Sequence, residues 1–210
     1  MLLRALHDAI MPLRCVFCGT RSLPTERYVC RGCRAELPCM EAPPPAPSSP
    51  FAVEAAPFAW SFPVDAAIKA LKFGRKLYYA PALAELLGET CRRLPDDIDA
   101  VLPVPLHWRR RVFRGFNQAE EIARPVARQL GVPLVRNVAR CKSTSFQSGL
   151  SARQRAVNLR GAFAVRGAMR WQHVLIVDDI ITTGTTVRQV AAVLASAGVN
   201  RVSALAVARA

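Results

Sequence analysis

Thirteen residues from Val174 to Thr186, Val-Leu-Ile-Val-Asp-Asp-Ile-Ile-Thr-Thr-Gly-Thr-Thr, restrict the folds open to this chain more than any other stretch. Val174, Leu175, Ile176 and Val177 are apolar without alternation, as a strand buried on both faces of a parallel sheet requires. Asp178 and Asp179 stand where that strand emerges. Small hydroxylated residues around Gly184 follow. Val187, Val190, Ala191 and Leu194 then recur at helical spacing as far as Gly198, a residue suited to a helix C-terminus. A glycine loop opening a helix points free N–H groups and the positive end of the helix dipole at one place, which suits a phosphate. Thr182, Thr183, Thr185 and Thr186 add hydroxyl donors. Asp178 and Asp179 suit sugar hydroxyls, or a divalent cation carrying a second anionic group. The ligand this chemistry implies is a sugar phosphate. Two other uses of the same residue types stay open: a plain βα-unit with Thr185 or Thr186 as N-cap, and an aspartate pair that binds Mg²⁺ or accepts phosphate in another doubly wound protein.

Near the other end, Cys15-Val-Phe-Cys18 and Cys30-Arg-Gly-Cys33 form two Cys-x-x-Cys knuckles. Such a set can place four thiolates tetrahedrally around Zn²⁺, and the spacing between the knuckles is ample for a short hairpin. Four protein ligands leave no open position, so the metal is expected to be structural. Cys39 is expected to be a bystander or an alternate ligand. A redox dithiol would need one pair.

The 210 residues suffice for one ordinary domain with a small appendage. Apolar content is that of a globular protein, and no apolar run approaches the roughly 20 residues that span a bilayer. Met1 to Arg14 is broken by Arg4, His7 and Asp8 and has no small-residue cleavage site, so it does not read as a secretory signal. A cytoplasmic chain is expected, with cysteines serving as ligands or buried thiols. The net charge of +14 favours polyanionic partners, namely nucleic acid, phosphorylated substrates or an anionic membrane surface; a solvated basic surface would give the same count.

The predicted organisation is a knuckle module over residues 1–41, a Pro/Ala-rich linker over 42–56 and an α/β domain over 57–210. Val64, Ile68 and Leu71 are spaced for a helix. Its Lys69 and Lys72, with Arg75 and Lys76, surround a turn at Gly74 and read equally as a wet face or as the edge of a basic groove. A second helix is expected from Tyr79 to Arg93, a strand over Asp99–Pro105, and a helix from Asn117, capped with Glu120 and kinked at Pro125, to Leu130. Further strands are expected at Leu134–Ala139, Ala162–Val165 and Arg201–Ala208. Between Pro105 and Asn117 lies a dense basic cluster, Arg109, Arg110, Arg111 and Arg114. Arg140 to Arg160 is polar without an apolar period, the pattern of a functional lid or a disordered segment. Alternating strands and helices indicate a parallel sheet with its ligand at the strands' carboxyl ends. Trp60, Trp108 and Trp171 could stack bases; core packing is the expected use of at least two.

The run 174–186 resembles the phosphoribosyl-pyrophosphate (PRPP) motif of type I phosphoribosyltransferases. With the two knuckles, Arg109–Gln118, Gln147-Ser-Gly-Leu-Ser-Ala-Arg153, Asn158 and Gly161–Phe163, nearly the whole chain resembles the ComF competence-protein family. The resemblance implies a parallel-sheet type I phosphoribosyltransferase fold with a small N-terminal four-cysteine zinc module. It implies that Asp178 and Asp179 meet the ribose hydroxyls and that Thr182, Thr183, Gly184, Thr185 and Thr186 wrap the 5-phosphate. Arg109, Arg110 and Arg111 would neutralise pyrophosphate with Mg²⁺, and Gln147 and Arg153 would belong to a closing hood. The function it implies is that of an accessory factor in natural transformation. Such a factor would handle single-stranded DNA, with DNA-uptake machinery at the inner face of the membrane as a partner. The alternatives are an active transferase passing ribose 5-phosphate to a nucleobase-like acceptor, and a PRPP-sensing regulator.

Overall fold

The apolar run at 174–177 lies at the centre of a parallel sheet. A computed structural model describes residues 14–23, 26–40, 48–142 and 161–210. Strand β6 (His173–Ile181) is flanked by β7 (Arg201–Arg209) and β3 (Ala100–Pro103), both parallel to it. On the far side of β7 an edge strand comes in two halves, β1 (Glu54–Ala55) and β2 (Phe58–Ala59). Val174 to Val177 are each fully buried, as the lack of alternation requires.

Helices cover both faces. One core layer joins α2 (Val64–Lys72), α3 (Tyr79–Leu86), α4 (Gly88–Cys91) and α6 (Gln118–Leu130) to Leu175, Val177 and Leu205. The other joins α7 (Thr185–Ser196) to Val174, Ile176 and Ala204. Alternate residues of β6 therefore face different layers. Trp60 and Trp171 pack against these cores, whereas Trp108 is exposed.

Several boundaries differ from expectation. The sheet begins inside the predicted linker, because Glu54 and Ala55 pair with Ala204 and Leu205. The helix expected over 79–93 breaks at Leu87 into α3 and α4. Pro125 lies within an unbroken α6. Asn117 caps α6 by accepting from the Ala119 N–H (3.2 Å), while Glu120 turns away to Arg124 and Arg136. Leu134 only bridges Val101; the strand proper is β4 (Val138–Arg140), antiparallel to β5 (Phe163–Val165) in a separate two-stranded sheet. The basic cluster forms a short helix α5 (Trp108–Arg114), started by the His107 ring accepting from the Arg109 N–H.

The N-terminal residues are docked on this body. Val29 and Leu37 join the first core layer. Glu85 of α3 accepts from the Tyr28 N–H (2.9 Å) and pairs with Arg34 (2.6 Å) of α1 (Arg31–Ala35).

At the amino end of β6, His173 is buried between Asp97 (Nδ1 to Oδ1, 2.9 Å) and Ser203 (Nε2 to Oγ, 2.8 Å). The carboxylate fixes the proton on Nδ1, leaving Nε2 to accept from the serine. The order acid–imidazole–hydroxyl is that of a nucleophilic triad, but Ser203 is wholly buried within the sheet. The set straps β6 to β7. His173→Ala should lower unfolding free energy by about 2–4 kcal/mol, from a cavity and an orphaned hydroxyl. Urea titration reads this directly, and an unchanged midpoint would refute the strap.

Candidate functional site

Strand β6 delivers Asp178 and Asp179 to the carboxyl end of the sheet, where β3 also ends. Period-two alternation sends them to different neighbours. Asp179 points toward the first core layer and is 2% exposed. Its Oδ1 accepts from Gln118 Nε2 (3.2 Å), and Gln118 in turn accepts from the Arg114 guanidinium. The Lys72 ammonium touches Oδ2 as an ion pair set off the angle of a hydrogen bond. Asp178 lines a small groove with Thr182, Gly184, Thr185 and Thr186, its carboxyl still close enough to Asp179 and Lys72 to feel both charges. Burial, and then the charge of Asp179, push its carboxyl well above the usual range.

The loop between β6 and α7 is built as the sequence requires. Thr182 and Thr183 are exposed. Gly184 is the N-cap of α7 with φ +73°, a left-handed conformation that glycine adopts without strain, and a Cβ there would meet the Arg188 guanidinium at 2.9 Å. Thr183 Oγ1 lies 2.8 Å from Thr185 Oγ1, and Arg188 donates to the Thr183 carbonyl (2.7 Å). The helix has no side-chain cap and no acidic residue in its first turn. Its leading N–H groups open on the groove that Asp178 also lines, with the Thr185 N–H donating to Thr183 Oγ1 (3.4 Å).

Opposite stand cations. Arg114 is stabilised by Asp179 and Arg140 by Asp178, while Arg110 repels both; burial and this crowding lower the pKa of each of the two. Burial, and then Arg140, Arg109 and Arg110, hold His107 below its ordinary value. Arg110 is close enough to both Arg114 and Arg140 for its charge to be felt, a concentration of positive charge that suits an anion. Of the expected pyrophosphate residues, Arg110 belongs to this wall. Arg111 lies 3.8 Å from Glu120, and Arg109 lies over the Trp108 ring (5.4 Å). Gln147 and Arg153 fall outside the described residues. Arg114 was named from sequence only within the basic cluster and Gln118 only as the end of the run Arg109–Gln118, and neither these nor Arg140 was given a role at the site. Lys72 was visible only as one of several lysines around Gly74.

Beside the wall, a cavity of about 420 Å³ opens between the end of β3, α5, α6 and the β4–β5 sheet. Pro105, Arg111, Asn117, Glu120, Arg136 and Arg140 contribute to its lining.

The four knuckle cysteines converge. The sulfurs of Cys15, Cys18, Cys30 and Cys33 lie within 4.8 Å of one another, with Cys18 and Cys30 at 3.7 Å. Ligands at about 2.3 Å in a tetrahedron stand about 3.8 Å apart, so the set fits Zn²⁺. Cys18 is pulled down to about 6, chiefly by the Thr20 hydroxyl, whereas burial pushes Cys33 up. Cys39 stands apart, bridged to Phe58.

Residues 117–210 match the family model of the phosphoribosyl transferase domain. The chain is similar to DNA utilization protein YhgH of Escherichia coli (strain K12), with 34% identity over 197 residues, 86% of this chain and 83% of that protein. It is also similar to competence protein F of Haemophilus influenzae, with 34% identity over 160 residues, 70% and 69% of the two chains. Among solved structures, adenine phosphoribosyltransferase from Leishmania tarentolae aligns at TM-score 0.41 and 14% identity, over 65% of this chain and 59% of that one.

Proposed function

This chain belongs to the ComF competence-protein family, that of DNA utilization protein YhgH and competence protein F, and from that premise we propose a PRPP-binding accessory factor of single-stranded DNA use. The observation that carries the PRPP reading is the shared groove of Asp178 and the Thr182–Thr186 loop, set beside Arg110, Arg114 and Arg140. In this reading the N–H groups of α7 and the threonine hydroxyls hold the 5-phosphate, and Asp178 accepts from ribose hydroxyls. Asp179 acts from behind, fixed by Lys72 and Gln118. The guanidinium wall takes the pyrophosphate, and a bound Mg²⁺ would add neutralisation of its negative charge. The four cysteines hold a structural Zn²⁺. A net charge of +14 supports the nucleic-acid partner. No helix among the described residues is long and apolar enough to cross a membrane, and the proposed place of action is the cytoplasmic face of the uptake machinery.

A second reading, an active transferase, is favoured by the 420 Å³ cavity, which gives an acceptor room beside the anomeric carbon. Calorimetry with PRPP and Mg²⁺, followed by pyrophosphate release in the presence of pooled nucleobases, separates the two. Binding without acceptor-dependent release is the expected result. Release that needs an acceptor selects the enzyme, and absence of PRPP binding removes both.

A further inference from the structure

Helix α5 has no buried residue, yet it carries three large apolar side chains: Trp108 is 61% exposed, Val112 75% and Phe113 83%. The turn after α2 adds Phe73, itself 75% exposed. The two segments are fastened together by cations. Arg75 donates to the Phe113 carbonyl (2.6 Å), and the Arg114 guanidinium lies over the Phe73 ring (5.6 Å). Arg109 lies over Trp108 at the other end of the helix. Arg75 adopts φ +54°, and among the described residues it is the one non-glycine in the left-handed region, a strained conformation that persists where the surroundings hold it.

Rings this exposed have a use that packing does not supply. The composition of the two segments narrows it. Residues 73–78 and 108–114 together hold six Lys or Arg and no Asp or Glu. An apolar protein partner would have to bury those guanidiniums against its own surface. A single-stranded nucleic acid satisfies both halves at once, with bases laid on the rings and phosphates on the cations. A duplex does not, because its bases are already stacked and their faces are closed.

We propose that Phe73, Arg75, Phe113 and Arg114 form a shelf on which a single-stranded nucleic acid is stacked, extended along α5 by Arg109 and Trp108 to the mouth of the cavity that Trp108 lines. This rests on the nucleic-acid partner of the function proposed above and assigns it a surface. Arg114 joins the shelf to the acidic pair, since the guanidinium over Phe73 also bonds the Gln118 that holds Asp179.

The test is fluorescence anisotropy of labelled oligothymidylate with the full chain, its Phe73→Ala/Phe113→Ala variant and Phe113→Ala alone, over a range of salt. Two lost stacking contacts should weaken binding about 30-fold or more. The slope of affinity against salt should stay that of the parent, because the phosphate contacts remain. The parent's preference for single strand over duplex should shrink. Phe113→Ala, at so exposed a position, keeps the test valid if the double variant unfolds, and should show part of the loss. Parental affinity in both variants would overturn the shelf while leaving nucleic-acid binding elsewhere on the protein intact. A parent that binds no oligothymidylate at low salt removes the nucleic-acid partner itself, whatever PRPP does. Loss of self-association on sedimentation, with oligonucleotide binding unchanged, would identify the face as a contact between protein copies and would likewise overturn the proposal.

Discussion

Asp178→Asn should yield a protein that is more stable than its parent at neutral pH and about 100-fold weaker for PRPP. Burial raises the Asp178 carboxyl above its value in the unfolded chain, so the folded state prefers the acid form. The stability this contributes is complete below the ordinary carboxylate range, near 4. It is lost as pH rises through the raised folded value, because there the unfolded chain binds fewer protons than the folded one. Asparagine has the same shape and never ionises, so the variant's unfolding free energy should lack that fall. The ligand loses a carboxylate that accepts two ribose hydroxyls, each charged bond being worth about 1.5–3 kcal/mol. Asp179→Asn should behave oppositely in stability. It leaves Lys72 facing a neutral amide in a nearly closed setting, and breaking such a pair costs about 3–5 kcal/mol. Urea unfolding against pH and PRPP calorimetry on the two variants test this division. Equal behaviour of the two would refute their separate surroundings, and unchanged PRPP affinity in Asp178→Asn would remove the groove.

Cys30→Ser should release one equivalent of zinc and disturb the body of the protein as well as the knuckles. Structural zinc contributes about 10–16 kcal/mol of apparent binding energy in small domains, more than the short segment can replace. Val29 and Leu37 sit in the first core layer, so freeing the segment exposes them, at about 1.5–3 kcal/mol each. It also strips Glu85 of both its partners. Metal analysis and guanidinium unfolding check the claim. Wild-type protein containing no zinc would end it, and a variant with parental stability would show the knuckles to be independent of the body.

The βα-unit at 174–196 was legible because its information is local: an unbroken apolar run, a glycine, then a helical period. The knuckles were legible for the same reason, since spacing alone nearly fixes the cluster. What escaped was set by distant neighbours. Gln118 and Lys72 acquire their meaning from Asp179, 61 residues from Gln118 in sequence. Nothing around them marks them out. The different surroundings of Asp178 and Asp179, a groove for one and Lys72 with Gln118 for the other, are hidden when the pair is read as a motif. Strands were expected near β4 and β5, but their antiparallel pairing in a separate sheet escaped, because each is three residues long and the two are far apart in the chain. Glu54 and Ala55 were hidden by the proline-rich composition that precedes them.

The divided edge strand has a practical corollary. Glu54–Ala55 and Phe58–Ala59 shield β7, a nine-residue strand buried along almost its whole length, and Pro57 between them withholds one amide donor from any newcomer. A fragment trimmed to the transferase-like portion would bare that flat, apolar ladder as a template for its own copies. Insolubility of such truncations would therefore reflect a missing selvedge, not a failure of the remaining sheet to form.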